Sequence, residues 1–363
     1  MKLALIGDPH FANKKLFGSP TGTPGVNGRL QNVIDVFEWI LNDLPPDVQE
    51  VCILGDITHE HGHLTPPVLN EVRNLFHKFN EEGRNLTILS GNHDIDSNNS
   101  SIIRAFENYN SNYEAGVETV TKFRQIYWGY PVPVYAIPYC SHDETIKALK
   151  QIEQEYKITK TRCIVLMHHH FEGAVHGAHE FEPPGGINPK NIPACVLMVL
   201  SGHYHTAQQI DDRISYIGVP VQQDFGEAAN KPMYWILDIA NDGLIEIEQR
   251  EILAGARFHI LPHNFDLHET LPGDPQKDYY RIDLPTDVDP AVISDLIAAL
   301  TNVIVKPIPI EVELRSRVSE VLQEEGQVTV KDAIKAYALM NAEAEKVEGL
   351  VALADDIIKA SKA

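Results

Sequence analysis

The stretch Leu89-Ser90-Gly91-Asn92-His93-Asp94 decides how this chain is read. It follows a β-like apolar run, Asn85 to Leu89, and precedes a polar Asn/Ser-rich segment expected to start a helix. A strand that ends this way gathers an amide oxygen that can bind a metal, an imidazole that can move a proton, and a carboxylate that can orient the imidazole. Gly91 is expected to let the backbone turn without a Cβ penalty. Alone, Asn-His-Asp after a strand is an ordinary turn. It gains meaning because four other His/Asp clusters fall at strand ends in the same chain.

Working outward, apolar runs at 2–6, 51–54, 85–89, 163–167 and 195–200 read as buried strands. They end respectively in Asp8 and His10, in Asp56, in Asn92-His93-Asp94, in His168-His169-His170, and in His203-Tyr204-His205. Leu30, Val33, Ile34, Phe37, Ile40 and Leu41 form one helical face, and Pro66–Phe79 and Asp143–Tyr156 are helical in pattern. Val132–Tyr139 reads as a strand, and residues 109–130 give no clear pattern. Further β-like segments lie at 214–218, 233–238 and 244–250. Strand–helix alternation followed by strands predicts a layered α/β domain over residues 1–255. Residues 262–275 read as a linker. A small α/β unit over 277–315 follows, with strands at 279–284 and 303–312 and a helix at 291–300, and then helices over 316–363.

The chain has 363 residues, 43% of them hydrophobic, and no apolar run near the roughly 20 residues that a membrane helix needs. Asp8 and His10 break the first apolar run too soon for a signal peptide. Cys52, Cys140, Cys163 and Cys195 sit in or beside strand-like runs with no Cys-x-x-Cys spacing, so they read as free thiols of a cytoplasmic protein. The net charge of −21 argues against phosphate binding by a basic surface, and 17 histidines point instead to metal.

Ligands at strand carboxyl ends converge on one rim of an α/β sheet. Mixed carboxylate, imidazole and amide donors suit Mn²⁺, Fe or Zn²⁺ better than an all-oxygen site. Asp8, His10, Asp56, Asn92, His168, His203 and His205 exceed what one ion requires, so two ions are expected, with Asp56 as the natural bridge. Such a pair would acidify a water and clamp a phosphoryl group for in-line attack.

The blocks "GDPH", "GDIT", "GNHD", "MHHH" and "GHYH" resemble those of the calcineurin-like metallophosphoesterase superfamily over roughly residues 1–250. Within it, Ile217–Ile239, with Gly218–Glu227 at its heart, is similar to a stretch of the SbcD-type DNA repair nucleases of bacteria and phages. The resemblance implies a layered β-sandwich flanked by helices, with two divalent ions, Mn²⁺ before Mg²⁺, Fe or Zn²⁺. Asp8, His10 and His205 would hold one ion and Asn92, His168 and His203 the other, with Asp56 bridging. His169 is the alternative to His168. His93 would stabilise the phosphorane charge or protonate the leaving oxygen, and Asp94 would orient it. His59 matches a histidine implicated in exonuclease action.

The same resemblance implies DNA ends as substrate, an SbcC-type ABC ATPase as partner, and a homodimer through helices near Leu30–Leu41 or Pro66–Phe79. The 277–315 unit would cap DNA, and the last helices would dock on the ATPase. Residues 311–363 carry 11 Asp/Glu against 7 Lys/Arg, which speaks against DNA binding there. His61, His63, His176 and His179 match no family position. A phosphoesterase of small phosphodiesters or nucleotides shares every donor, and a silent scaffold on the same fold would be expected to lack some of them.

Overall fold

A computed structural model describes residues 1–107, 115–127, 132–175, 185–240, 242–262, 265, 270–285, 293, 294, 297 and 302–308. The chain divides into two compact units, Met1–Ile282 with Ser294–Val305, and Asp283–Ile293 with Lys306–Ala363. The first unit is built on two six-stranded sheets.

In chain order the strands are β1 (Lys2–Ile6), β2 (Glu50–Ile53), β3 (Asn85–Leu89), β4 (Val117–Val120), β5 (Arg124–Ile126), β6 (Val134–Ile137), β7 (Cys163–His168) and β8 (Val196–Gly202). They continue with β9 (Gln208–Asp211), β10 (Ile214–Tyr216), β11 (Met233–Ile239), β12 (Ile245–Glu251), β13 (Phe258–Leu261), β14 (Tyr279–Pro285) and β15 (Val303–Ile308). The helices are α1 (Gly28–Asp43), α2 (Pro66–Glu81) and α3 (His142–Thr159). The first sheet runs β12-β11-β1-β2-β3-β4 and the second β5-β6-β7-β8-β10-β9, while β13-β14-β15 form a small third sheet. Strands β1 to β4 are parallel, as are β6, β7, β8 and β10, and the outer strands add antiparallel.

Period-2 alternation explains the layering. Leu3 and Leu5 of β1, Cys52 and Leu54 around β2, and Ile164 and Leu166 of β7 meet between the two sheets. Their neighbours Ala4, Ile6, Val51 and Ile53 face α1 and α2, packing on Leu30, Val33, Phe37, Val72 and Phe76. Val165 and Met167 face α3, packing on Ala148, Leu149 and Ile152. Each such side chain is fully buried or nearly so, which stabilises by roughly 1.5–3 kcal/mol per large residue. Helix starts are fixed locally. The Asn27 side chain accepts from the Arg29 and Leu30 amides, two prolines open α2, and Ser141 and Glu144 close a capping box on α3.

The expected layered α/β sandwich is present. The helix expected after Asp94 is not: residues 102–106 make one short 3₁₀ turn, because Asp96, Asn98, Asn99 and Ser100 bond one another in tight turns instead. Residues 109–130, patternless by sequence, hold β4 and β5 within their described part. Of the expected 291–300 helix and the 316–363 helices, nearly all lies outside the described residues. Among the described residues no helix is long and apolar enough to cross a membrane.

Candidate active site

The carboxyl ends of β1, β2, β3, β7 and β8 meet on one rim, where the two sheets face each other. Asp8 and His10 follow β1, Asp56 follows β2, Asn92 and His93 follow β3, His168 is the last residue of β7, and His203 and His205 follow β8. All seven predicted donors are brought together there. Asp8 and His168 are fully buried, Asp56 is 2% exposed and His10 3%.

Three of the seven sit in the left-handed backbone region: His10 (φ 49°), Asp56 (φ 50°) and His203 (φ 91°). Residues other than glycine hold that conformation only where the surroundings enforce it, at a cost of order 1–3 kcal/mol each. Gly91 is needed for a different reason than a turn. Its backbone passes so close to Asp56 that an added Cβ would lie 2.2 Å from Oδ1.

Hydrogen-bond partners fix the imidazole tautomers. His168 Nδ1 donates to the Leu54 carbonyl at 2.7 Å, so the Nε2 lone pair faces Asn92 Oδ1 at 3.0 Å and Asp56 Oδ1 at 3.4 Å. His10 Nδ1 donates to the Thr58 carbonyl at 3.1 Å. His205 Nδ1 donates to Glu227 Oε1 at 2.5 Å. Both rings therefore turn Nε2 lone pairs toward each other, 3.0 Å apart. His203 Nδ1 lies 2.9 Å from the same Asn92 oxygen, and Asp56 Oδ2 is 3.7 Å from His10.

Lone pairs aimed at lone pairs repel unless a proton or a cation lies between them. Asp8 Oδ2 is buried with no hydrogen-bond partner, a cost that only a cation or a proton removes. Asp8, His10 and His205 present atoms within 4.8 Å of one another, and so do Asp8, Asp56 and His168. The residues present thus fit divalent metal.

The electrostatics agree. Burial holds His10 well below its ordinary value, and burial with His168 pushes His203 down to about 3, so both stay neutral and able to ligate. Burial opposes charge on His168, but Asp56 and Asp8 outweigh it and raise this ring to about 9. Burial likewise opposes charge on His205, and Glu227 raises it. Both rings thus take up a proton more readily than a free imidazole, which marks a place where positive charge is favoured. Burial would raise Asp56, yet His168 holds it well below the usual carboxylate range.

His168, rather than His169, belongs to the site. It shares the phase of Ile164 and Leu166, which face the space between the sheets, whereas His169 shares that of Val165 and Met167 and meets Pro138 O and Thr145 Oγ1 on the α3 side.

His93 is at the edge of this cluster, its amide donating to Asp56 Oδ1 at 2.8 Å. One expectation is corrected here. Asp94 does not orient the His93 ring: its two oxygens accept from the Gly91 and Thr58 amides at 2.8 and 2.9 Å, holding the turn. The His93 ring is held instead by the His59 carbonyl, 2.7 Å from Nδ1, and His10, His59 and His93 also present ring nitrogens within 4.8 Å of one another. The His61 ring stacks on His93 at 4.3 Å with its own Nδ1 on the Asn92 carbonyl. His59 lies parallel to His93 at 6.0 Å.

A cleft of about 420 Å³ opens over the cluster, lined by His10, Asp56, His59, Asn92, His93, His203 and His205 and by Lys14, His170, Tyr204, Gln223, Asp224 and Glu227. Sequence reasoning gave Glu227 and Lys14 no role. Glu227 Oε1 holds His205, and its Oε2 accepts from the Gln223 amide at 2.7 Å. Its only sequence signal was a place in the Gly218–Glu227 stretch. His176 and His179 lie outside the described residues.

A model of the calcineurin-like phosphoesterase family matches residues 1–207. A protein of Invertebrate iridescent virus 6, provisionally named phosphoesterase 244L, is 26% identical over 291 residues, 76% of this chain and 90% of its own length. A second, provisionally named phosphoesterase 078R, from Invertebrate iridescent virus 3, is 26% identical over 229 residues, 63% of this chain and 60% of its own. A solved dimetal phosphatase from Danio rerio aligns with a TM-score of 0.42 at 10% identity, covering 70% of this chain and 96% of that one, a likeness too slight to bear on the reaction. With more than half of its length matched by the family model, and the family's metal-dependent chemistry provided for by the donor cluster, the chain belongs to the calcineurin-like phosphoesterase family.

Proposed function

We propose that this metal-dependent phosphoesterase is a DNA nuclease that hydrolyses phosphodiester bonds at DNA ends, as an exonuclease and endonuclease, in recombination and repair. The observation that carries the reading is the pairing of facing lone pairs with the orphaned Asp8 oxygen beside the His93 imidazole, whose Nδ1 is held by the His59 carbonyl. Asp8, His10 and His205 would hold one ion, Asn92, His168 and His203 the second, and Asp56 would face both. Bound there, two divalent ions, Mn²⁺ foremost, supply an acidified water and neutralise phosphoryl charge.

The protein's own residues do the rest. Glu227 and the Leu54 and Thr58 carbonyls fix the ring tautomers, so that each Nε2 is a lone pair. The His59 carbonyl orients His93, whose Nε2 would stabilise charge on the phosphoryl oxygens or hand a proton to the leaving oxygen. His59 itself lines the cleft, where it would contact the DNA strand.

Support for a polymeric substrate comes from chain beyond the sandwich. Phe258 of β13 packs on Phe225, within the loop that walls the cleft, and Tyr279 of β14 packs on Phe258. Residues 277–315 as a DNA-capping unit, residues 316–363 as the docking segment for an SbcC-type ABC ATPase, a homodimer through α1 or α2, and a cytoplasmic setting in a bacterial or phage-infected cell complete the proposal. The second reading, hydrolysis of small phosphodiesters or nucleotides, is favoured by the acidic balance of −21.

End-labelled linear duplex DNA and bis(p-nitrophenyl) phosphate, each offered with Mn²⁺, Mg²⁺ or chelator, separate the two. Manganese-dependent release of nucleotides from the ends, abolished by chelator, is expected. Turnover of the small ester with no cleavage of duplex or single-stranded DNA, with or without the ATPase, would overturn the nuclease reading in favour of the second.

A further inference from the structure

Lys14 lies in the loop after His10, and its side chain lines the cleft. Among the described residues it is the one lysine or arginine that does so. Its Nζ donates to Gln223 Oε1, an uncharged acceptor, and among the described residues no carboxylate pairs with it. The nearest acids are committed elsewhere: Glu227 to His205 and the Gln223 amide, and Asp224 to the Gly226 amide. Burial pushes the ammonium down to about 8, with Arg29 adding to the effect.

Glu227 and Asp224 act on this ammonium only from a distance and neither makes an ion pair with it among the described residues, and holding an ammonium out of water without a paired carboxylate is costly. The chain carries 51 acidic residues against 30 basic ones, so pairing this lysine would have been easy. It is left for an anion that arrives from outside. The lysine is also no part of the donor cluster: Gln223 holds it to the loop that carries Glu227, and its charge is felt by His10 and His59 across the cleft.

We propose that Lys14 binds a second phosphate of the substrate, the one next to the phosphate being cleaved, so that the cleft selects chains of phosphodiesters over single ones. This deepens the nuclease reading and rests on it for the identity of the chain, but not for the recognition of two phosphates. A lysine suits the task because it acts as a point charge on a flexible stem and accepts a phosphate from several directions.

The test uses the manganese-loaded full chain turning over bis(p-nitrophenyl) phosphate, with thymidine 5′-monophosphate and thymidine 3′,5′-bisphosphate as competitors. The readout is the ratio of their two inhibition constants. The wild-type chain should favour the bisphosphate by about 10-fold or more, the worth of one phosphate contact of about 1.4 kcal/mol. Lys14→Gln should bring the ratio near one, and Lys14→Arg should restore most of it. A wild-type ratio near one overturns the proposal without any variant. So does a Lys14→Gln ratio equal to wild type, or a loss of both inhibitors alike. An expected ratio in a protein that cuts no DNA would keep Lys14 in its role and sink the nuclease reading. An unaltered ratio in a chain that does cut DNA would do the reverse.

Discussion

Replacing Glu227 by Gln tests whether the outer partner of a candidate ligand sets metal affinity. The side chains keep the same length, so the new amide oxygen can still accept from the Gln223 amide, but the His205 Nδ1–H then faces an NH2 group and loses its anionic acceptor. Glu227 is 12% exposed and His205 22%, so water does little to replace it. Outer partners of metal-bound histidines set ring tautomer and basicity, and losing one costs about 10–100-fold in metal affinity, or about 1.4–2.7 kcal/mol. Calorimetric titration of Mn²⁺ into the stripped protein at pH 7 reads this directly.

A second arm follows from the raised His205. Against burial, Glu227 raises His205 above its ordinary value in the metal-free chain. A raised histidine adds stability that is full below the unfolded value, about 6.5, and lost as pH rises through the folded one. In chelator, the melting temperature of Glu227→Gln should therefore trail wild type most near pH 6 and converge with it at higher pH. A manganese affinity within twofold of wild type, or a deficit that widens with pH, would refute this account of Glu227.

Two further substitutions divide chemistry from support. His93→Ala should lower kcat by about 10²–10⁴-fold while metal content, read by elemental analysis, stays at the wild-type level. Loss of metal together with activity would remove His93 from the role of an unliganded acid. Asp94→Asn leaves one of the two buried amides facing an NH2 group, an unsatisfied donor that costs about 1–3 kcal/mol, so calorimetric melting should fall by roughly 2–12 °C. An unchanged melting temperature with collapsed turnover would instead return Asp94 to the His93 ring.

The donor cluster was legible because ligands at strand ends need no long-range information: an apolar run and the residues that follow it are local features. The second layer of partners was not. Glu227 reaches His205 across 22 residues, and His93 is held by a carbonyl 34 residues away, which carries no residue signature at all. The choice between His168 and His169 was latent in the alternation of Cys163–Met167, since the site faces the sheet interior, but the interior face is known only once the second sheet is in place. Strands β4 and β5 went unread because both are short and carry charged residues, Glu118 and Arg124, which pair with each other in the fold. Gly91 looked like a turn glycine by sequence. Its real constraint, the Asp56 carboxylate pressed against its Cα, is a contact between two strand ends.

The place of β1 in the first sheet bears on how the protein is made. Strand β1 pairs on one side with β2, which leaves the ribosome soon after it, and on the other with β11, Leu5 opposite Trp235. Asp8 and His10 hang from this strand. Throughout most of translation its second edge has no neighbour, and an apolar strand with a bare edge is a template for any other chain in the same condition. Contacts so distant in sequence also close slowly. Synthesis halted before residue 239 would leave the central sheet unfinished, with two of the seven donors hung from a strand whose second edge is bare.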